Sequence, residues 1–451
     1  MPGRPEYAHR NHLTLLCSDR SVEPAVSRPR VDMAAQKTTL RTDVVRNSRI
    51  DTLLILRGIA CLLVVLSHVK GEFPWANFFV VFGHDYTWTI SVTGTTGVWI
   101  FFVLSGYLMG KAFYTGRYDY KPRGIARFYR DRFLRIYPLY LASIIVSCII
   151  FHETYPIDAP SIRTIAHLLL FSYYGRTPFP DSVLWTISTE FRFYLLAPLL
   201  FFALEKTVSS TRSAVVAAGV FILLQIGFRS WLYLHYAHRV PDWTTFWILH
   251  SYIPLIGNFD SFTLGFLLNV FVIKWNAQPR RRQPPRAAGW IVLGISTIVS
   301  SYAGYRGLLL AQPGYKPLFF CALESIIVLG VCLTLFCFES HNNNTLRMPA
   351  LNWSAIKTTP LRSFEIFGVV TFGIYLWHML VLAWAKNIHF PVSSAQAEFV
   401  LRFVLVLAVT TVISAATYLL IEKPFLRLRS VLRWPLSVRQ PTNDIDGAAS
   451  R

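Results

Sequence analysis

Acidic side chains are scarce in this chain: 24 Asp and Glu stand against 44 Lys and Arg, and charge of either sign makes up only 15% of the 451 residues. A soluble domain usually carries about a quarter charged residues, so the composition excludes an ordinary globular protein. Cysteine is sparse as well. The six, Cys17, Cys61, Cys148, Cys321, Cys332 and Cys337, have neither CxxC spacing nor paired spacing in the loops, which argues against a zinc or redox centre and against a disulfide framework. They read as apolar packing. Residues 1–50 lack the apolar core of a signal peptide. No internal repeat is visible, so the inverted repeat common in transporters is missing too.

Apolar residues, by contrast, make up 53% of the chain, and the mean hydropathy is +0.41. Runs long enough to cross a bilayer as a helix, about 17 to 25 residues, fall near 53–69, 91–110, 134–151, 184–204, 214–234, 246–273, 289–305, 318–338, 366–385 and 398–421. The pattern predicts an all-α, polytopic integral membrane protein of about ten transmembrane helices. The sixth run contains Pro254, Gly257, Asn258 and Asp260, so it is expected to be kinked or broken.

The net charge of +20 would suit nucleic acid, but the cations alternate by loop. With a cytoplasmic N-terminus, most Lys and Arg fall in the tail to residue 50, in the loops at 111–133, 205–213, 274–288 and 339–363, and from 422 onward. Only Lys70, Arg163, Arg176, Arg239, Arg306, Lys316 and Lys386 fall in the opposite loops. Both termini cytoplasmic therefore satisfies the positive-inside rule. The expected partner is the lipid bilayer and no nucleic acid. Residues 1–50 read as a disordered basic cytoplasmic tail, with Met33 as an alternative start that N-terminal sequencing would decide. Residues 51–425 read as the transmembrane domain and 426–451 as a basic cytoplasmic tail, with no soluble domain appended.

Arg57 and His68 stand eleven positions apart in LLILRGIACLLVVLSHV with nothing else charged between them. On a helix they share one face, about 16 Å apart. Ionisable groups inside a span are costly, which makes each a functional-site hypothesis. Glu190, about two turns into the fourth span, is expected at the depth of His68. There a carboxylate would fix the imidazole tautomer and stabilise the imidazolium; a structural His with Glu190 paired to Arg192 is the alternative.

On the inner side Arg127, Arg130, Arg132 and Arg135 cluster in GIARFYRDRFLRIYP. Their guanidinium forks suit phosphate, while topology signalling and anionic lipid account for the same residues without a ligand. Gly97, Ser105, Gly106 and Gly110 lighten the second span, either for close helix approach or to leave room for a narrow substituent. Tyr375 and His378 are adjacent on one face of the ninth span. Asp260 is a buried acid that contacts substrate or caps a broken helix, and Glu422 falls at the inner interface.

Taken in order, the Arg57–His68 run, FFVLSGYL, RFLRIYP, LWTISTEFRFY, NFDSFTLG and GIYLWH resemble the acyltransferase 3 family of integral membrane acyltransferases, which includes O-acetylases of surface polysaccharides and Nod factors. The resemblance covers about residues 50–425. It implies transfer of an acyl group, commonly acetyl, from cytoplasmic acyl-CoA to a hydroxyl of a carbohydrate-type acceptor such as an exopolysaccharide, O-antigen, or other glycan or glycolipid. It further implies a bacterial plasma-membrane location and no bound cofactor or metal. By the same resemblance His68 is catalytic with Glu190 as its partner, and Arg57, Arg132 and Arg135 contact the donor. Ser105 and Gly106 offer a slot for the pantetheine arm or acyl group, and Asp260, Tyr375, His378 and Trp185 are candidate substrate contacts.

Two departures stand out. Tyr107 replaces a frequent Phe, and Phe372 with Gly373 replaces a frequent Ser, which weakens a role for Tyr375. The rival class is a multi-pass transporter or flippase. The other large family of membrane-bound O-acyltransferases, with His378 as active residue, leaves Arg57 and His68 unexplained. Acceptor choice is expected to rest on outer loops such as 152–183. Oligomeric state and acyl chain length have no marker in the sequence.

Overall fold

The computed structural model describes residues 51–91, 93–150, 165–167, 169, 182–278, 282–341 and 360–431. Its helices are α1 (Thr52–Lys70), α2 (Thr93–Tyr114), α3 (Pro122–Ile150), α4 (Trp185–Thr207), α5 (Thr211–Tyr236), α6 (Phe259–Asn276), α7 (Arg286–Gly304), α8 (Leu323–Glu339), α9 (Pro360–Ala385), α10 (Ala395–Thr417) and α11 (Lys423–Val431). Among the described residues, ten helical stretches are long and apolar enough to cross a membrane. The expected all-α architecture is therefore what forms. The tails at 1–50 and 432–451, and most of the 152–183 loop, lie outside the described residues; α11 itself runs past residue 425.

Ten spans in sequence place successive loops on alternate faces. Residues 71–91 and 310–317 share one face, and 115–121 and 282–285 share the other. Asp51 opens α1, its carboxylate accepting from the N–H groups of Leu53 at 3.0 Å and Leu54 at 3.3 Å, which satisfies two otherwise orphaned donors. From there α1 packs against α2, α9 and α10. Between α1 and α2 a small hairpin pairs Val80–Val81 (β1) with His84–Asp85 (β2). Its two turn residues, Phe82 and Gly83, have φ of 50° and 79°, the left-handed pair that a two-residue hairpin turn requires.

One expectation about the spans is corrected and one is met. The Arg-rich segment before residue 134 is not a loop but the first half of α3, which runs unbroken from Pro122 to Ile150. Asp131, Arg132 and Arg135 are thus held on a helix. The sixth run is broken, one of the two outcomes expected of it. Pro254, at ψ 147°, has no N–H and takes an extended backbone, so the helical turns of Trp243–Tyr252 end there and the span starts afresh at Leu255.

The most extensive helix pair is α2 with α6. A Cβ on Gly106 would lie 2.0 Å from the Phe262 carbonyl oxygen, and one on Gly265 would lie 2.3 Å from that of Val103. Neither position has space for any side chain, so these two backbones touch directly. Gly106→Ala is expected to destabilise the protein by about 1–3 kcal/mol, the cost of overpacking, read as a lowered Tm in detergent.

Candidate functional site

Both ends of the candidate site lie on α1. Arg57 and His68 are half-buried on one continuous helix, so their separation of about 16 Å along the axis holds.

At the His68 end, Nδ1 lies 2.8 Å from the Val64 carbonyl oxygen and 3.4 Å from Nε2 of His378. A carbonyl only accepts, so neutral His68 carries its proton on Nδ1 and its lone pair on Nε2. His378, fully buried on α9, has the same tautomer for the same reason: its Nδ1 donates to Tyr375 O at 2.7 Å and Ile374 O at 3.2 Å. Its Nε2 lone pair therefore meets the His68 Nδ1–H. The two rings, 5.0 Å apart between centroids, form a relay that ends on His68 Nε2. That nitrogen can take up a proton, and the imidazolium is then held by Val64 O and His378. Protonating both rings would set two like charges side by side, so the pair holds one added proton at a time.

The expected pairing of His68 with Glu190 is not formed. Glu190 instead accepts hydrogen bonds from Ser105 Oγ and Tyr194 OH. Helix contacts explain the depth. A Cβ on Gly94 would meet Ser67 and one on Gly97 would meet Ala60 O, so Ser105, about 12 Å further along α2, sits near the level of Arg57. The fourth span is recessed: Trp185, its first residue, packs on Phe102 with ring centroids 6.4 Å apart, about 13 Å of rise below the start of α2. A depth counted from the membrane surface therefore placed Glu190 too far out.

At the Arg57 end, the charged and phenolic groups acting on the guanidinium are Arg135, Glu190, Tyr194 and Glu422. Arg132, 8% exposed, lies over the rings of Phe128 and Tyr194. Arg429 Nη2 donates to Asp131 O at 2.8 Å. Among the described residues, the Nε atoms of Arg57, Arg132 and Arg429 and both carboxylate oxygens of Glu422 are buried without a hydrogen-bond partner. Buried donors are rarely left unmet. A cluster with this many unused guanidinium edges is suited to an anion with several oxygens, phosphate above all.

Other sequence candidates are placed differently. Gly106, expected to open a slot, is filled by the Phe262 backbone, so close packing of α2 on α6 is its role. Ser105 stays at the site through Glu190. Asp260, expected at substrate or a helix cap, is fully buried and bound to Arg229 through Oδ1 at 3.0 Å and Oδ2 at 3.3 Å. Tyr375 OH accepts from Thr186 Oγ1 at 2.8 Å, pinning α9 to the start of α4, and Trp185 packs on Tyr252. His378 is brought to His68.

Sequence reasoning missed Tyr194, Arg429, Arg229 and Glu324. Each of the last two is a lone charge in an apolar run, a signal as strong as the one that marked Arg57. Glu422, read as an interface residue, is 2% exposed and faces Arg135 and Arg57.

Two hydrogen-bonded imidazoles inside the membrane helices stand about 16 Å from a cationic cluster, an arrangement whose chemistry suits group transfer. The model of the acyltransferase 3 domain family matches residues 50–419. The chain belongs to that family, and it is a multi-pass membrane acyltransferase. It is 23% identical over 402 residues to the putative membrane-bound transacylase BcsY of Komagataeibacter xylinus, covering 86% of each chain. It is 25% identical over 389 residues to the peptidoglycan O-acetyltransferase OatA of Listeria monocytogenes, covering 82% of this chain but 54% of that protein. To the exopolysaccharide production protein ExoZ of Rhizobium meliloti it is 25% identical over 354 residues, 76% of this chain and 92% of that one. No solved structure matches it.

Proposed function

We propose that this acyltransferase moves an acyl group, acetyl in the first instance, from cytoplasmic acyl-CoA to a hydroxyl of a carbohydrate-type acceptor on the opposite face. The observation that carries the proposal is the division of α1: among the described residues, guanidinium Nε atoms without a partner around Arg57, and an imidazole at His68 whose Nδ1 is taken by Val64 O and His378 and whose Nε2 is left for chemistry. The peptidoglycan and exopolysaccharide relatives support an acceptor of this class, and the loop charge asymmetry supports an orientation with Arg57 toward the cytoplasm.

In this reading Arg57, Arg132, Arg135 and Arg429 take the CoA phosphates, and the pantetheine arm runs along α1 toward His68. His68 Nε2 removes the proton from the acceptor hydroxyl as its oxygen attacks the thioester carbonyl. The tetrahedral intermediate collapses, the C–S bond breaks, and the departing CoA thiolate takes the proton back from the imidazolium. Val64 O and His378 hold the imidazolium meanwhile. No proton is lost to lipid.

Purified protein in liposomes with labelled acetyl-CoA tests the class: thiol release that requires a glycan acceptor is expected. Solute flux without thiol release would instead make it a transporter. For the donor end, Arg132→Ala and Arg135→Ala are each expected to weaken CoA by about tenfold, the scale of one charge-assisted contact. Dephospho-CoA and pantetheine should be weakened less. Equal weakening of all three donors in competition binding would remove phosphate recognition from these residues.

A further inference from the structure

On the same membrane face as the His68 end of α1, a cavity of about 410 Å³ lies between the hairpin and the end of α7. Its size falls within the range of small-molecule sites, about 300–1,000 Å³. Tyr86 and Trp88 line it from the hairpin side, Tyr302 and Arg306 from α7 and the π-helical turn Tyr305–Leu309 that continues it. Trp88 stands edge-on to Tyr302 with centroids 5.6 Å apart, and the Arg306 guanidinium lies 5.2 Å from the centre of the Tyr302 ring.

The walls are fixed before anything binds. Asp85 accepts from Thr87 N at 2.9 Å, from Asn77 N at 3.2 Å, from Thr87 Oγ1 and, across the cavity, from Tyr305 OH. Burial alone would push this carboxyl up; the hydrogen bonds from Thr87, Tyr305 and Asn77 outweigh it and hold it at about 2. With Asp85 so occupied, the groups left to a ligand are ring faces, the exposed His84 imidazole and the Arg306 guanidinium, which has no hydrogen-bond or ion-pair partner among the described residues. Electron-rich ring faces attract the weakly positive C–H faces of sugar rings, and the polar edges match hydroxyls. One cation with aromatic walls suits an uncharged polyhydroxylated ligand better than a metal or a polyphosphate. The cavity is also tied to the candidate site: the chain leaves it through the Thr87–Thr89 turn and Ser91 and enters α2, where Gly94 abuts Ser67, the neighbour of His68.

We infer that this cavity is a glycan-binding subsite that holds a stretch of the acceptor chain while a hydroxyl further along it reaches His68. The inference rests on the carbohydrate-acceptor reading above. Saturation-transfer NMR on the full chain in nanodiscs, with a glucose tetramer and an N-acetylglucosamine tetramer as probes, tests it. Ring-proton saturation of at least one tetramer is expected. Trp88→Ala and Arg306→Ala should each weaken its Kd by about tenfold, the scale of one lost ring or guanidinium contact, whereas Trp88→Phe, which keeps a ring face, should retain binding. No saturation of either tetramer with the unsubstituted protein, or equal saturation with Trp88→Ala and Arg306→Ala, overturns the subsite. Thiol release from acetyl-CoA by the unsubstituted protein is measured on the same sample: its absence counts against acyl transfer, while sugar binding alone decides the cavity.

Discussion

His68→Ala is expected to lower kcat by about 10²- to 10⁴-fold, the usual worth of a positioned general base, while donor affinity stays within about twofold. The split follows from geometry: the cationic cluster lies about 16 Å down α1, and the Ala side chain removes nothing it uses. Rapid-quench kinetics with labelled acetyl-CoA would read both quantities. A large loss of CoA binding would mean that His68 belongs to the donor site. A covalent acyl label that disappears in His68→Ala would replace direct transfer by an acyl-imidazole intermediate on Nε2.

His378 supplies a sharper contrast. It touches His68 only through Nε2 at 3.4 Å, so it is a positioning residue, and His378→Ala should move the acidic limb of the kcat–pH profile rather than erase turnover. His378→Gln, which can still present an acceptor, should restore part of the profile. Glu190→Gln should leave that profile in place and change the donor KM, because Glu190 sits with Ser105, Tyr194 and Arg57. If Glu190→Gln instead shifted the profile as His378→Ala does, the carboxylate would be the partner of His68 after all.

Much of this arrangement is legible in the residues. Spans are set by apolar length, and among the described residues ten helical stretches are long and apolar enough to cross a membrane. The spacing of Arg57 and His68 on one helix face needed only helix periodicity. What failed were inferences of relative depth between helices. A sequence marks where an apolar run begins but not how far below the surface it begins, and α4 is recessed because Trp185 packs on Phe102 and Tyr252. Glu190 consequently moved from one end of the site to the other. Partner identity was equally hidden: His378 and Asp260 each looked like a lone polar group in an apolar span, and only packing of α9 on α1 and of α5 on α6 joined them to His68 and Arg229. Gly106 permitted two readings because glycine serves a slot and a close contact alike.

Arg229→Leu is expected to cost about 3–5 kcal/mol of stability, the penalty for stranding a buried charge partner, seen as a strongly lowered Tm in detergent. Arg229 is 2% exposed and Asp260 fully buried. One guanidinium there serves two carboxylates, Asp260 and Glu324, with Nη2 3.0 Å from each. Asp260 is the more tightly held: it also accepts from Ser325 Oγ at 2.6 Å and Ser261 N at 2.9 Å, whereas the bond that Glu324 takes from Ser261 Oγ is longer, 3.2 Å. Asp260→Asn should therefore destabilise more than Glu324→Gln, and the double change Arg229→Leu with Asp260→Leu should recover part of what Arg229→Leu loses. A Glu324→Gln protein less stable than Asp260→Asn would show that Glu324 carries the ion pair. The cluster joins α5, α6 and α8, and α6 in turn holds Gly265 and Phe262 against α2, the helix that presents Ser105 to Glu190. Loss of Arg229 should thus abolish activity on heating, at temperatures the unsubstituted protein survives, and leave the pH profile of the surviving fraction unmoved.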